Sequence, residues 1–314
     1  MHFTLKQLRY FTTAGEFGSV TKAAEALHVS QPSISSAVLY LEEQTGLQLF
    51  VRHHAQGLSL TPAGRKFLRK SKQLLTEADG LGHYANTLGE DITGKLHIVG
   101  FPTFTPVMLP SLMKKFIKKY PSVTIQCDEG HQKEIIQSLI DGQYEIALTY
   151  DLQIPPEIDF EPIMEFPPYA VLAFDHPLAE RKALSLDDLA AYPMVLLDWP
   201  MTRDYFYSLF LSQNLEPNIA YRAQSIAMIR GLVGNGLGYS LSNAPLVSNK
   251  ALDGTKMKAI PLSGNLRPLR LGIAKISQFR LTSVAEAFAV LLKEQALELS
   301  ESVFLDDRFY ISLN

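Results

Sequence analysis

Four short polar side chains near the start of the chain have the chemistry to read nucleic acid. Gln31, Ser33, Ser35 and Ser36 fall within six positions, and each can donate to or accept from a base edge in a major groove. They need an element that holds them on one outward face. The stretch from Thr21 to Gly46, TKAAEALHVSQPSISSAVLYLEEQTG, predicts two short helices joined by a tight turn. Ala23, Ala24 and Leu27 turn one face of the first helix inward. Ile34, Val38 and Leu41 recur at i, i+4 and i+7 and give the second a buried stripe. Ser30 is a good N-cap, and Pro32 falls in the first turn, where no intrahelical donor is needed. A helix-turn-helix presents this end of its second helix to DNA.

The flanks supply the supports. Leu5–Ala14 predicts a helix that packs Leu5, Leu8 and Phe11 against the pair. After it, Leu47–Arg52 is β-prone, Gly57 turns the chain, and Leu58-Ser59-Leu60 runs back as the wing of a winged helix-turn-helix. Thr61-Pro62-Ala63 opens a long helix, with Thr as N-cap and Pro at the first position. Phe67, Ser71, Leu74, Ala78, Leu81, Ala85 and Leu88 follow at alternating steps of four and three, a heptad seam. Gly80 and Gly82 weaken its far end by up to about 1 kcal/mol each relative to Ala. A seam of that length predicts a partner helix; packing on the chain's own C-terminal body is the alternative.

From Gly94 the texture becomes alternating strands and amphipathic helices. Strands at Lys95–Val99, Val123–Cys127 and Glu145–Thr149 alternate with helices at Pro106–Tyr120 and Lys133–Ile140, which predicts a doubly wound parallel sheet. The first helix buries Leu109, Leu112, Met113, Phe116 and Ile117, and Lys114, Lys115, Lys118 and Lys119 form its solvated face. A second α/β unit runs from about Tyr169 to Arg270. Its strands are Tyr169–Phe174, Met194–Leu197 and Gly238–Leu241, and its helices Thr202–Gln213 and Ser225–Val233. Leu269–Ala274 reads as a strand returning to the first unit, closed by a helix over Leu281–Leu299. Two lobes joined by two crossings are the plan of a ligand-closing hinge protein.

The bulk numbers agree. The 314 residues allow two or three domains, and 46% hydrophobic with 19% charged residues is ordinary globular composition. A single cysteine, Cys127, leaves no internal disulfide and suits a reducing cytoplasm; its strand position favours burial over reactivity. No basic region followed by an apolar run suggests a signal peptide, and no apolar stretch is long enough to span a membrane. Residues 1–70 carry eight Lys/Arg against four Glu, a net +4, which leaves −7 for the remainder. A basic head on an acidic body suits polyanion binding by the head.

Catalytic signatures are poor, so no enzyme activity, metal or cofactor is expected. Gly234-Asn235-Gly236-Leu237-Gly238 follows a helix and precedes a strand, the reverse of a phosphate cradle. Gly238-Tyr239-Ser240-Leu241-Ser242 lacks the final Gly of a nucleophile elbow. His53-His54 has no third ligand at metal spacing.

Taken in order, FTTAGEFGSVTKAAEALHVSQPSIS, LEEQTGLQLFVR and LSLTPAGRKFL resemble the N-terminal region of LysR-type transcriptional regulators. Weaker matches, such as IDGQYEIALTY and VGNGLGYSLSNAP, extend the resemblance to about residue 300. It implies a winged helix-turn-helix over 1–60 and a linker helix over 61–90. It further implies a periplasmic-binding-protein-like body with lobe I at 94–168 and 271–303, lobe II at 169–270, and a tail at 304–314. The implied partners are double-stranded promoter DNA with dyad symmetry, a small-molecule effector, and a second copy of the chain through the linker helix, usually as a tetramer. The DNA-contacting positions are then Gln31, Pro32, Ser33, Ser35 and Ser36, with Thr21, Lys22 and Arg52 facing phosphates. Two departures stand out. Ser36, Leu39 and Tyr40 replace common basic residues, and His53 and His54 occupy a wing usually rich in Arg. Fewer fixed charges predict a shallower salt dependence. The His pair predicts DNA affinity that rises as pH falls toward about 6.

For the effector, the resemblance points to a cleft between the lobes lined by Phe101, Thr103, Phe104, His131 and Tyr150 from one side and Trp199, Thr202, Arg203 and Ser225 from the other. Thr103 and Thr202 stand where hydroxyl and backbone N–H groups at a helix start can hold an anion. Arg203 offers a bidentate partner to a carboxylate, and the rings offer apolar walls. A small organic acid is the expected effector. The competing reading, a two-lobed solute-binding protein or enzyme, leaves the first ninety residues without a task.

Overall fold

The computed structural model describes residues 3–53, 57–86, 92–246 and 248–303. The head opens with α1 (Leu5–Phe17), three residues longer than expected and closed by Gly18 in the left-handed region. Leu8 and Phe11 are buried, whereas Leu5 faces solvent at 48% exposure; the inward stripe starts one turn later than predicted. The helix-turn-helix is α2 (Val20–Ala26) and α3 (Gln31–Thr45). Ile34, Val38 and Leu41 are all buried, joined by Ala37. The wing is β1 (Phe50–His53) antiparallel to β2 (Gly57–Leu60); its first strand starts at Phe50, and Leu47 to Leu49 form the approach to it.

Helix α4 (Pro62–Asn86) follows. Thr61 Oγ1 accepts the Gly64 N–H at 2.8 Å, the predicted cap. The expected seam splits in two. Phe67 packs on Phe3 and Phe11 of the head, and Ser71 and Leu75 are buried beside it. Leu74, one position from Leu75, is exposed. An α-helix turns 3.6 residues per turn, so an i/i+4 row drifts off a strict 3.5-residue seam. The side chains of Leu81 and Ala85, and residue Leu88, lie outside the described residues.

Lobe I is built on β3 (Gly94–Gly100), α5 (Thr105–Lys119), β4 (Val123–Glu129), α6 (Gln132–Ile140), β5 (Ile146–Tyr150) and β6 (Ile158–Phe166). In α5 the four lysines face solvent as expected, but Ile117 is exposed and Met108 takes its place in the core. The chain crosses to lobe II with β7 (Tyr169–Ala173), α7 (Leu186–Ala190), β8 (Met194–Leu197), α8 (Thr202–Leu211), β9 (Ile219–Ala223), α9 (Ile226–Gly234), β10 (Ser240–Ser242) and β11 (Met257–Pro261). It returns through β12 (Leu269–Ile276) and ends in α10 (Ser283–Val303).

The lobe I sheet has the order β4-β3-β5-β12-β6. Its β3, β4 and β5 are parallel, but β12 runs antiparallel to both β5 and β6. The sheet is therefore mixed, not wholly parallel, because the returning strand enters from the opposite end. In lobe II, β7 is flanked antiparallel by β10 and β11, and β8 pairs parallel with β9. Val195 N–H donates to Tyr239 O at 2.7 Å and Tyr239 N–H to Pro193 O at 2.9 Å, joining the two pieces just ahead of β10.

Candidate functional site

In the head, Gln31, Pro32, Ser33 and Ser36 are exposed at the start of α3, and Ser35 is half-buried on its flank. Ser30 caps this helix, accepting the Ser33 N–H, and its hydroxyl lies 2.8 Å from that of Ser33. The Ser33 hydroxyl thus has a local partner and keeps sites for others. Thr21 and Lys22 are exposed in the first turn of α2. The cap of that helix, unread in the sequence, is Ser19, whose Oγ accepts the Lys22 N–H at 3.3 Å.

Two devices aim the wing. Glu42 of α3 accepts the N–H groups of Leu49 (2.7 Å) and Phe50 (3.0 Å) on one carboxylate oxygen, so α3 carries the start of β1. At the other strand, Leu58 N–H donates to Gly18 O at 2.8 Å. A Cβ at Gly57, whose φ is +91°, would lie 2.5 Å from the same oxygen, so the approach requires glycine. The backbone of Arg52 pairs with Leu58. The side chains of Arg52 and His53, and residue His54, lie outside the described residues, and so does the proposed effect of the His pair.

In the body, the expected cleft segments converge through a series of contacts. Gly130 N–H donates to Gly100 O, and Phe101 N–H to Leu148 O. Gln132, fully buried, donates to Tyr150 O and Leu152 O at 2.9 Å each and accepts from Thr149 Oγ1 at 2.6 Å. The Phe101 ring lies 5.1 Å edge-on from Tyr150 and 5.5 Å from Trp199, so rings of both lobes meet. Trp199 Nε1–H reaches Gln224 O at 3.0 Å, which brings in the start of α9. At Gly100 a Cβ would lie 2.0 Å from Thr105 Oγ1, so only glycine lets α5 start this close to β3.

The cleft side chains divide by occupation. Thr103 Oγ1 lies 3.3 Å from the Tyr150 hydroxyl, whose pKa burial pushes above its ordinary range. Thr202 Oγ1 is buried and has no hydrogen-bond partner among the described residues. Met201, just before it, adopts φ +66°, a strained conformation for a residue with a Cβ. The His131 ring places Nε2 3.2 Å from Glu134 Oε1 and buries Nδ1, which likewise finds no partner among the described residues.

Three expected roles change. Arg203 is not a free clamp: it pairs with Asp198 at 3.0 Å and Asp204 at 3.3 Å, which together hold its charge more firmly. Phe104 stacks on Phe166 at 5.2 Å inside lobe I. Ser225 caps α9, accepting the Met228 N–H. The first backbone donors of α8 are also taken, Thr202 N–H by Pro200 O and Arg203 N–H by Trp199 O. Cys127, expected buried and inert, is half-buried, and burial with the nearby Asp128 and Glu129 carboxylates pushes its thiol up to about 11.

Among the described residues no group of three or more His, Cys, Asp or Glu is placed to hold a metal ion, and no helix is long and apolar enough to cross a membrane.

Comparison with known proteins fits this geometry. Residues 5–65 match the model of the bacterial regulatory helix-turn-helix proteins of the lysR family, and residues 89–297 that of the LysR substrate binding domain. The HTH-type transcriptional regulator CysB of Haemophilus influenzae is 33% identical over 86% of this chain and 84% of its own length. The crystal structure of HinK, a LysR family regulator from Pseudomonas aeruginosa, shares 38% identity and a TM-score of 0.62, covering 94% of this chain and 99% of its own. A full-length OxyR variant from Pseudomonas aeruginosa superposes at a TM-score of 0.77 over 94% of this chain and 95% of its own. At 22% identity that likeness speaks to the fold alone. The chain belongs to the LysR family of DNA-binding transcriptional regulators, with a winged helix-turn-helix head and a two-lobed effector-binding body.

Proposed function

We propose that the effector is a small organic acid with an apolar or aromatic body, taken up between the lobes. The observation that carries this reading is the Thr202 hydroxyl, buried without a partner among the described residues at the first turn of α8, three positions after Trp199, whose ring meets Phe101 of the other lobe. Helices α5, α6, α8 and α9 all begin in segments that converge on the cleft. The positive end of a helix dipole favours an anion, which lets an acid bind there without a guanidinium partner. Thr202 and Thr103 then supply hydroxyl donors, and the His131 ring bounds the site. Arg203 is left to its two aspartates and serves the shape of the loop.

On the DNA side, Gln31, Pro32, Ser33 and Ser36 read base edges with Ser35 at the margin, while Thr21, Lys22 and Arg52 face phosphates. The exposed Leu74 on α4 supports pairing of two chains through the linker helix, and two such dimers assemble into a tetramer. The protein works in the cytoplasm as a regulator and not as a catalyst. Its units are the head (1–60), the linker (61–90), lobe I (94–168 and 271–303), lobe II (169–270) and a tail.

Titrating small carboxylic acids against Trp199 fluorescence tests the effector site. Thr202→Val should weaken a binding acid about tenfold, as for a lost hydrogen bond to a charged group, and Arg203→Ala should change it less than about threefold. An acid whose affinity collapses with Arg203→Ala and ignores Thr202→Val overturns this site.

A further inference from the structure

The two segments that join the lobes are gripped by a pair of side chains outside the cleft. Tyr205 lies one turn into α8 and is buried; its hydroxyl donates to Arg267 O at 2.7 Å, on the chain returning to lobe I. The same hydroxyl accepts from Asn243 Nδ2 at 2.9 Å. Asn243 follows β10 in lobe II, and its Nδ2 also donates to Phe166 O at 2.9 Å, the last residue of β6 before the outgoing crossing. One hydrogen-bonded pair in lobe II therefore holds the main chain of both crossings.

Lobe I holds the return crossing from its own side. Asp151, directly after Tyr150, is buried and accepts from Arg270 N–H (2.9 Å), Arg270 Nε (2.8 Å) and Arg267 Nη2 (3.1 Å). Asp151 N–H donates to Arg270 O in return. The path is continuous: Thr202 and Tyr205 share the first turn of α8, Tyr205 holds Arg267, Arg267 holds Asp151, and Asp151 adjoins the Tyr150 ring of the cleft.

We infer that Tyr205 and Asn243 are positioning residues that set the angle between the lobes, and that the arrangement seen here is the one they favour. A hydrogen bond to a crossing segment is kept only while that segment holds one direction. Rotation of one lobe against the other pulls on the Asn243–Phe166 bond, which joins the two lobes, and on the Tyr205–Arg267 bond as the return crossing turns with lobe I, so the pair biases a two-state hinge. This rests on the reading of the cleft as the effector site only for its consequence, control of the response; the effect on lobe angle needs no effector.

The only tryptophan, Trp199, reports it, because its ring meets Phe101 of the opposite lobe. The experiment is acrylamide quenching of Trp199 in the full-length protein without added ligand. It compares wild type, Tyr205→Phe, Asn243→Ala and the double variant, with Asn235→Ala as a control that loses lobe II hydrogen bonds away from the crossings. Tyr205→Phe keeps the ring and its packing, so it carries the test even where Asn243→Ala does not fold. Each single variant should shift the open-to-closed ratio by about fivefold, the factor carried by the one bond to a crossing segment that it removes besides the shared Tyr205–Asn243 bond, and raise the quenching constant. The double variant should add less than the sum of the two, because they share a bond. Asn235→Ala should quench as wild type does. Wild-type quenching in Tyr205→Phe, or an equal rise in Asn235→Ala, overturns the inference and leaves the pair a purely structural contact. Failure of every acid to bind would count against the effector reading and not against this one.

Discussion

The reading face of the head and the interlobe cleft are both built from helix starts, yet they treat polar groups in opposite ways. At the start of α3 the polar side chains stand in water except for half-buried Ser35, and the Ser30–Ser33 pair is the local link seen there among the described residues. In the cleft the polar side chains are mostly employed already: partly exposed Arg203 on two aspartates, exposed Ser225 as a cap, and buried Gln132 across three groups of β5 and its extension. The Thr202 hydroxyl and His131 Nδ1 are the exceptions, buried without a partner among the described residues. An exposed face can be changed without cost to the fold, so its residues answer to the ligand alone. Cleft side chains that also hold the chain in place must serve ligand and fold at once, so their residue types report both.

Substitutions put this contrast at risk. The largest effect should come from Phe101→Ala, which removes a buried ring that touches both Tyr150 and Trp199; about 3–5 kcal/mol of body stability should be lost in urea unfolding followed at Trp199. A loss under about 1 kcal/mol would mean that the rings only graze one another, outside the roughly 2–5 kcal/mol typical of large-to-small changes in a core. Next is Glu42→Ala, which strips two backbone N–H groups of a charged acceptor. It should cost about 3 kcal/mol in thermal unfolding of the head, and weaken DNA binding without altering the preferred sequence. Gln31→Ala should leave stability unchanged and cost about 2 kcal/mol of base discrimination, read by selecting bound fragments from a random pool. An unaltered sequence preference would show that another face reads the DNA. Arg203→Ala should leave the urea midpoint of the body nearly unchanged, because its pairs are partly exposed and screened by solvent.

The smallest effect is at Cys127. Its thiol is neutral when protonated, and burial raises its pKa to about 11 in the folded state. The unfolded chain gives up that proton first, so the contribution is whole below the ordinary thiol range and fades as pH rises toward about 11. Alkylation by iodoacetamide at about pH 8 should accordingly be slow beside a free thiol and speed up on unfolding. Fast alkylation of the native protein would contradict it.

What could be read in the sequence follows the same contrast. Ser30, Pro32 and the Ile34–Val38–Leu41 stripe are local signals, and the head appears where they put it. The cleft segments were legible as segments, because loops after strands face the crevice of an open α/β sheet. Their individual roles were not, since a threonine or arginine at a helix start looks the same whether it holds a ligand or an aspartate. Strand β6 escaped because it carries Pro162 within a proline-rich stretch; a proline is tolerated there only because β6 is an edge of the sheet. Strand β9 has exposed residues in succession at its centre and so no alternation to read. Helix α7, at five residues, is too short to show a period. The Tyr205–Asn243 pair, 38 positions apart, leaves no local mark at all.

If one buried hydroxyl in the body governs what the exposed face of the head does to DNA, Thr202→Val should uncouple the two. The measurement is fluorescence anisotropy of a labelled DNA fragment, first selected by the full-length protein, titrated with and without small carboxylic acids for wild type and Thr202→Val. Both proteins should bind the fragment equally well without acid. An acid should shift the wild-type curve, and the same concentration should leave Thr202→Val unmoved. An equal shift in both proteins, or no shift in wild type with any acid, would contradict that coupling.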